Sequence, residues 1–153
     1  MTSQTVRYRE RLWVPWWWWP LGLGLATLFA AEVNMSILKM PAFVAYAVLG
    51  ASAAGVLLWL SRLEVRVIGD GPDAQLWAGP AHLPVSVVQR CAAVPKSAKS
   101  AAMGRQLDPA AYVLHRSWVG PMVLVVLDDP DDPTPYWLVS SRHPDRVLAA
   151  LRA

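Results

Sequence analysis

The sequence predicts an α+β membrane protein: an N-terminal two-helix transmembrane hairpin, then a small antiparallel β domain with a C-terminal helix. Two runs of 20 residues, 12–31 and 41–60, contain no charged residue. Each would form a helix of roughly 30 Å, which matches the hydrocarbon core of a bilayer. Beyond residue 60, apolar residues fall in short runs separated by glycine and proline, which is typical of strands and turns.

The chain therefore divides into three predicted parts. Residues 1–11 form a basic interfacial lead-in, residues 12–60 form the hairpin, and residues 61–153 form a cytoplasmic β-rich domain. The lead-in carries Arg7, Arg9 and Arg11, which we expect to contact anionic lipid. A cleaved signal peptide is the alternative for the first run. The length of that run and the second run directly after it argue against cleavage.

Five tryptophans mark the start of the first predicted span. Indole favours the headgroup boundary, so the cluster indicates an aromatic belt. The alternative is an aromatic platform for a lipid or a quinone-like ligand. Pro15 and Pro20 lie near the N-terminal end of the span, where a missing N–H matters least. The cluster consists of Trp13, Trp16, Trp17, Trp18 and Trp19.

Small residues recur every four positions in both predicted spans. Close packing of helices in lipid needs such flat faces, so we expect the two stripes to meet. Packing against a partner protein is the competing use. The first stripe is Gly22, Ala26 and Ala30, and the second is Ala47, Ala51 and Gly55.

The basic residues near the span ends predict the orientation. Three arginines precede the first span, Arg62 and Arg66 follow the second, and the loop between the spans has only Lys39. Such an excess of basic residues stays on the cytoplasmic side. The prediction is a multi-pass protein of the plasma (inner) membrane with both termini in the cytoplasm.

The remaining 93 residues, 61–153, predict about six short antiparallel strands and one helix. Pro144 at the first helical position and Asp145 in the first turn indicate where the terminal helix begins. An unbroken valine-rich run at 122–127 predicts a strand buried on both faces. The predicted strands are residues 63–67, 75–78, 83–88 with a continuation to 94, 111–114, 122–127 and 136–140.

The segment 95–109 predicts a surface connection with a short helix near residues 96–103. Its basic residues are Lys96, Lys99 and Arg105, which we expect to face the membrane or an acidic partner. A solvated loop without a binding role is the alternative.

No grouping of residues predicts catalysis, a metal or a cofactor. Cys91 has no histidine at nucleophile spacing and is expected to be a buried small residue. The aspartates of 128–132 lack the spacing of a calcium loop, so we expect a solvated turn. The β domain carries ten basic and nine acidic residues, a balance that argues against nucleic-acid binding. The prediction is a protein that is not an enzyme.

Aromatic residues beside turns suggest a role in protein–protein interaction. Trp118 lies on a predicted bend, and Tyr136 and Trp137 follow prolines. Aromatics near loops are often interface anchors, so the first hypothesis is docking of a partner protein, a membrane complex or a second copy of the chain. The alternative is recognition of anionic lipid headgroups at the inner leaflet, with Arg62, Arg66, Lys96, Lys99 and Arg105 facing the membrane.

The order of features resembles an actinobacterial family of small two-span membrane proteins of unknown function. Four segments carry the resemblance: the lead-in YRERL at 8–12, LEV at 63–65, YVLHRSWVG at 112–120 and DPTPYWLVSSR at 132–142. The resemblance covers nearly the whole chain and implies no activity. More loosely, the layout is similar to bacterial membrane-anchored pleckstrin-homology-like domains, which would imply a seven-stranded bent sheet capped by the helix.

Overall fold

The computed structural model describes residues 5–36 and 41–153. The described strands are β1 (Val6–Arg11), β2 (Glu64–Ile68), β3 (Gln75–Ala78), β4 (Ala81–Pro84), β5 (Val88–Val94), β6 (Tyr112–Leu114), β7 (Met122–Leu127) and β8 (Tyr136–Ser140). The described α-helices are α1 (Trp18–Ser36), α2 (Ala42–Leu60), α3 (Lys99–Ala102) and α4 (Pro144–Arg152).

The described residues divide into two compact units. We call residues 5–12 and 63–153 the globular unit, and residues 13–62 the helical insertion. The insertion contains α1 and α2, which pack against each other. Lys39 of the predicted loop lies outside the described residues.

The helical insertion interrupts a pair of neighbouring antiparallel strands. β1 pairs with β2 from Val6 opposite Ile68 to Arg11 opposite Glu64. The backbone N–H of Leu12 then donates to the carbonyl oxygen of Leu63 at 2.9 Å. Both ends of the insertion are therefore fixed at the same end of one strand pair.

Two four-stranded sheets form the globular unit. The first has the order β1-β2-β3-β4 and is antiparallel throughout, and the second has the order β5-β7-β8-β6. In the second sheet β6 runs parallel to β8, while the other pairs are antiparallel. Alternating apolar residues of both sheets share one core with α4, as expected for strands with one buried face.

Helix α4 closes this core with one apolar face. Val147, Leu148 and Leu151 are buried on that face, and Pro144 opens the helix at its first turn. The missing N–H of proline carries no penalty at that position. The helix contacts β1, β2, β5 and β7, so it covers strands of both sheets.

A buried carboxylate joins β1 to the turn before α4. Glu10 is 8% exposed, and its Oε2 accepts hydrogen bonds from the hydroxyls of Tyr8 at 2.8 Å and Ser141 at 2.6 Å. Its Oε1 accepts the backbone N–H of Arg142 at 2.8 Å. Burial and the neighbouring Glu10 raise the pKa of Tyr8, so this phenol stays a donor at neutral pH.

The predicted two-helix transmembrane hairpin is wrong. Among the described residues, one helix, α2 at Ala42–Leu60, is long and apolar enough to cross a membrane. The uncharged run begins at Leu12, but α1 begins only at Trp18 and continues through Glu32 and Asn34 to Ser36. The helix is thus displaced from the uncharged run and includes polar residues, which lowers its hydropathy.

The predicted antiparallel β domain of about six strands is also corrected, while the loose similarity to pleckstrin-homology-like domains stays a prediction. A β domain with a C-terminal helix is present, but its described strands form two sheets, and one strand pair is parallel. Part of the lead-in is itself strand β1. Arginines at alternate positions conceal the apolar and buried positions Tyr8, Glu10 and Leu12, so the sequence is typical of a polar segment.

We predict that Glu10→Ala lowers the free energy of unfolding by about 3 kcal/mol, because one buried and two partly buried donors lose their acceptor. Glu10→Gln keeps one carbonyl acceptor and should lower it by about half as much. Chemical denaturation of the full-length protein measures both. The matched control is Asp70→Asn, which removes a carboxylate that is 67% exposed and paired with Arg7. Equal losses in Glu10→Ala and the control would contradict the structural role of Glu10.

Candidate functional site

Three of the six arginines predicted to face lipid form ion pairs in the first sheet and its following turn. Arg7 Nε lies 3.4 Å from Asp70 Oδ1, and Arg9 lies 2.8 Å from Glu64 Oε1. Arg66 Nε lies 3.8 Å from the other oxygen of Glu64. The hydrogen bond from Arg9 lowers the pKa of Glu64 below its ordinary value. These pairs join β1 to β2 and the following turn, and contact with lipid stays a prediction.

The other predicted basic residues lie apart from these pairs. Arg11 ends β1, and its carbonyl oxygen accepts a hydrogen bond from Arg142 at 3.3 Å. Arg62 is the last residue of the helical insertion, and Arg105 is exposed after α3. In the globular unit, one pocket brings together Lys96 and Lys99 and includes neither Arg66 nor Arg105.

The tryptophan cluster is largely open to solvent in the helical insertion. Trp16 is 80% exposed, and Trp13 and Trp17 are close to half exposed. Trp18 is half-buried, and its ring meets that of Trp17 edge to face at 5.8 Å. Trp19 is half-buried. Their role at a membrane boundary stays a prediction.

The first small-residue stripe lies in the contact between α1 and α2. Ala26 and Ala30 are buried, and a Cβ on Gly22 would lie 3.2 Å from Leu57 Cδ1. The buried residues of α2 are Ala45 and Leu57. The second predicted stripe is exposed: Ala47, Ala51 and Gly55.

The aromatic residues predicted to dock a partner are at least half-buried. Trp137 is 6% exposed in the core, with its ring 4.4 Å from that of Tyr112. Trp118 lies beneath the guanidinium of Arg116, which is 5.7 Å from the ring centroid. Tyr136 is half-buried at the start of β8. The structure does not collect the three in one exposed patch.

The residues considered for catalysis and metal binding remain apart. Cys91 lies beside Arg90 and Arg152 in a pocket whose described lining contains no histidine. Asp129 and Asp132 accept backbone N–H groups of their own turn, and this bonding lowers the pKa of Asp132. The described residues hold no group of three metal-ligating side chains.

A basic pocket of about 580 Å³ in the globular unit is the strongest candidate site. The segment after β5, including α3, forms one wall, and the segment between β6 and β7 forms the other. Among residues 5–36 and 41–153, no acidic side chain contributes to the lining. The residues of this basic pocket are Lys96, Lys99, Ser100, Met103, Gly104, His115, Ser117 and Gly120.

Glycine at position 120 allows Lys96 to lie along the wall of the pocket. A Cβ at Gly120 would come within 3.1–3.3 Å of three carbons of the Lys96 side chain. Such a contact is tighter than nearly all real packing, so any larger residue would displace Lys96. The glycine thus positions the lysine stem, and the ammonium remains available to the pocket.

Lys99 holds the two walls together. Its ammonium donates to the carbonyl oxygens of Arg116 at 3.1 Å and Val119 at 2.5 Å. Burial and the nearby Lys96 lower the pKa of Lys99. Burial is the larger cause of this shift, and the described lining of the pocket offers the two lysines no acidic side chain.

His115 carries the pH-sensitive group of the basic pocket. Burial, followed by the charges of Lys99 and Arg116, lowers the pKa of His115 below its ordinary value of 6.5. The free pocket therefore holds a neutral imidazole at neutral pH. An anion in the pocket would favour the imidazolium and raise this pKa.

The sequence predicted the basic residues of one wall of this pocket. It selected Lys96 and Lys99 by charge but missed His115, Ser117 and Gly120, which lie in the next connection. The one available signal was the segment HRSWVG, which lies within the resemblance and in which the sequence singled out Trp118 alone. Only the tertiary fold shows that Lys99 bonds the backbone of that segment.

The fold and the pocket define an α+β protein with a basic, anion-compatible site and a helical insertion between two paired strands. The chain belongs to the family described as proteins of unknown function, DUF3093, which is matched over residues 7–151. This match confirms the expected family of unknown function, while actinobacterial origin stays a prediction. No curated protein and no solved structure matches the chain.

We predict that Lys99→Gln raises the pKa of His115, because the substitution removes a positive charge and keeps N–H donors for the two carbonyl oxygens. Nuclear magnetic resonance of the imidazole protons against pH measures the shift. Arg105→Gln is the control, since it removes a charge from the same segment outside the pocket. A lowered or unchanged pKa in Lys99→Gln would contradict this arrangement of charges.

Proposed function

We propose that this protein is held at the plasma (inner) membrane by the helical insertion and that its globular unit recognises a phosphate-bearing anion in the basic pocket. The observation that carries the proposal is a pocket whose described lining holds two lysines, a histidine and no acidic residue. The proposed function is binding without a chemical step.

Two features of the insertion support membrane attachment. Helix α2 has the length and composition of a span, and only 11% of its most apolar window is buried within the structure. A core helix of a soluble protein would be mostly buried. Because Leu12 and Leu63 are hydrogen-bonded, the chain leaves and re-enters the globular unit at one point. The basic residues Arg11 and Arg62 beside the ends of the insertion favour the cytoplasmic face of the membrane for that point.

The composition of the basic pocket supports a phosphate-type ligand. Lysine ammoniums donate charge-assisted hydrogen bonds to phosphate oxygens, and the hydroxyls of Ser100 and Ser117 supply neutral donors. A bound anion would also offset the neighbouring positive charges, which after burial are the second cause of the lowered pKa values of Lys99 and His115. The source of the phosphate is either a lipid headgroup or a soluble phosphate ester.

The test uses the full-length protein in nanodiscs of phosphatidylcholine, with sulfate as a phosphate-like probe whose charge is constant between pH 5 and 8. Sulfate should raise the pKa of His115 and bind more tightly as the pH falls and the imidazole becomes protonated. Lys96→Gln should weaken binding about tenfold through loss of a charge-assisted hydrogen bond. Arg105→Gln is the matched control and should bind as the parent does.

Nanodiscs with anionic lipid then separate the two sources. If phosphatidylglycerol or phosphatidate occupies the pocket, it will raise the pKa of His115 without sulfate and reduce the apparent affinity for sulfate. If a soluble ester is the ligand, inorganic phosphate will act like sulfate in both kinds of nanodisc. A His115 pKa that responds to none of these anions would show the proposed function to be wrong.

Docking of a protein partner is the second candidate function, with a second copy of the chain as the partner. The exposed small residues on α2 favour it, since a Cβ at Gly55 would have open space around it. Such a face allows close approach of another helix in lipid.

Gly55→Leu should lower self-association about tenfold, measured by energy transfer between labelled copies in liposomes. Val48→Leu, an enlargement at an exposed position of the same helix, is the control. A strictly monomeric parent protein would exclude this candidate.

A further inference from the structure

A second pocket lies on the outer face of the second sheet, opposite the shared core. Leu124, Val126 and Leu138 line its sheet side, and Ala102 and Gln106 belong to the segment that covers it. Its volume is about 460 Å³. This size falls within the roughly 300–1,000 Å³ of small-molecule sites. We call it the outer pocket, and it shares no residue with the basic pocket.

Strand register places one cationic and one phenolic side chain at the same end of the outer pocket. Arg90 on β5 is opposite Val126 on β7, and Val126 is opposite Tyr136 on β8. Residues opposite one another point to the same face, so Arg90 and Tyr136 flank Val126. Two strand spacings separate their Cα atoms by roughly 10 Å. Their long side chains can reach a common ligand group above Val126.

Both donors at this end of the outer pocket can form a further hydrogen bond with a ligand. In the part of the chain that the structure describes, the Arg90 guanidinium has no acidic side chain within ion-pair distance and no hydrogen bond. The Tyr136 hydroxyl accepts the backbone N–H of Asp108 at 2.8 Å, so its own hydrogen remains to be donated. These are two donors with the geometry to share one carboxylate.

The other end of the outer pocket is apolar. Leu124 and Leu138 are opposite each other in the next row on the same face, and the covering segment adds Ala102. A doubly charged phosphate would leave charge uncompensated against this wall, because the described lining contains one cation, Arg90. A single carboxylate with an apolar body matches both ends.

We infer that the outer pocket binds an amphipathic monocarboxylate, with its carboxylate between Arg90 and Tyr136 and its apolar body against Leu124 and Leu138. This site is independent of the proposed phosphate site. The ligand of the outer pocket differs from that of the basic pocket in charge and in apolar content. A negative result for one site therefore does not contradict the proposal for the other.

The test compares 2-naphthoate with its neutral isostere 2-naphthamide. Both are titrated by calorimetry into the full-length protein in phosphatidylcholine nanodiscs, after subtraction of partition into empty nanodiscs. The naphthoate should bind about tenfold more tightly than the amide, because the arginine bond is charge-assisted. Arg90→Gln should abolish this preference, and Arg152→Gln, which removes an exposed charge outside the outer pocket, should keep it.

A filling variant tests the apolar end. Ala102→Leu should weaken both naphthoate and naphthamide about tenfold by occupying the space near the covering segment. An unchanged pKa of His115 in each variant confirms that the fold around α3 is intact. Absence of naphthoate binding to the parent protein would overturn the inference, as would equal losses in Arg90→Gln and Arg152→Gln.

Discussion

The pairing of β1 with β2 is the constraint on which the rest of the structure depends. Arg11 and its partner Glu64 lie opposite each other in this pair, although they are 53 positions apart in the chain.

 Closing a loop of that length has an entropic penalty, which local strand preference alone does not offset. The ladder, the bond from Leu12 to Leu63 and the ion pair of Arg9 with Glu64 supply the compensating contacts. These contacts hold Leu12, where the chain leaves β1, beside Leu63, where it returns to β2.

The Glu10 cluster extends this constraint to the far end of the chain. Glu10 and Ser141 are 131 positions apart, yet their side chains bond directly in a buried site. The segments YRERL and DPTPYWLVSSR, which carry the family resemblance, therefore meet in space. Their joint presence has a physical reason: a buried carboxylate needs donors, and the turn before α4 supplies a hydroxyl and a backbone N–H.

Sequence patterns predicted the elements whose period was clear. The valine-rich run became β7, the segment after the prolines became β8, and Pro144 opens α4. Strand β1 was missed because arginines at its alternate positions make the segment polar in sequence and hide the alternation of buried and exposed residues. The first predicted span was misplaced because a lack of charge does not define where a helix begins. The parallel pairing of β6 with β8 depends on contacts between distant segments, which no local pattern records.

Lys99 shows why the basic pocket could be predicted only in part. Its charge is visible in the sequence, but its hydrogen bonds to the carbonyl oxygens of Arg116 and Val119 exist only in the fold. Those bonds hold the segment that forms one wall of the basic pocket and covers the outer pocket. Lys99 therefore supplies a positive charge to the basic pocket and also joins its two walls by hydrogen bonds. The alkyl chain of Lys96 packs against Gly120, and Lys96 contributes its charge to the pocket. The two lysines therefore have different physical roles.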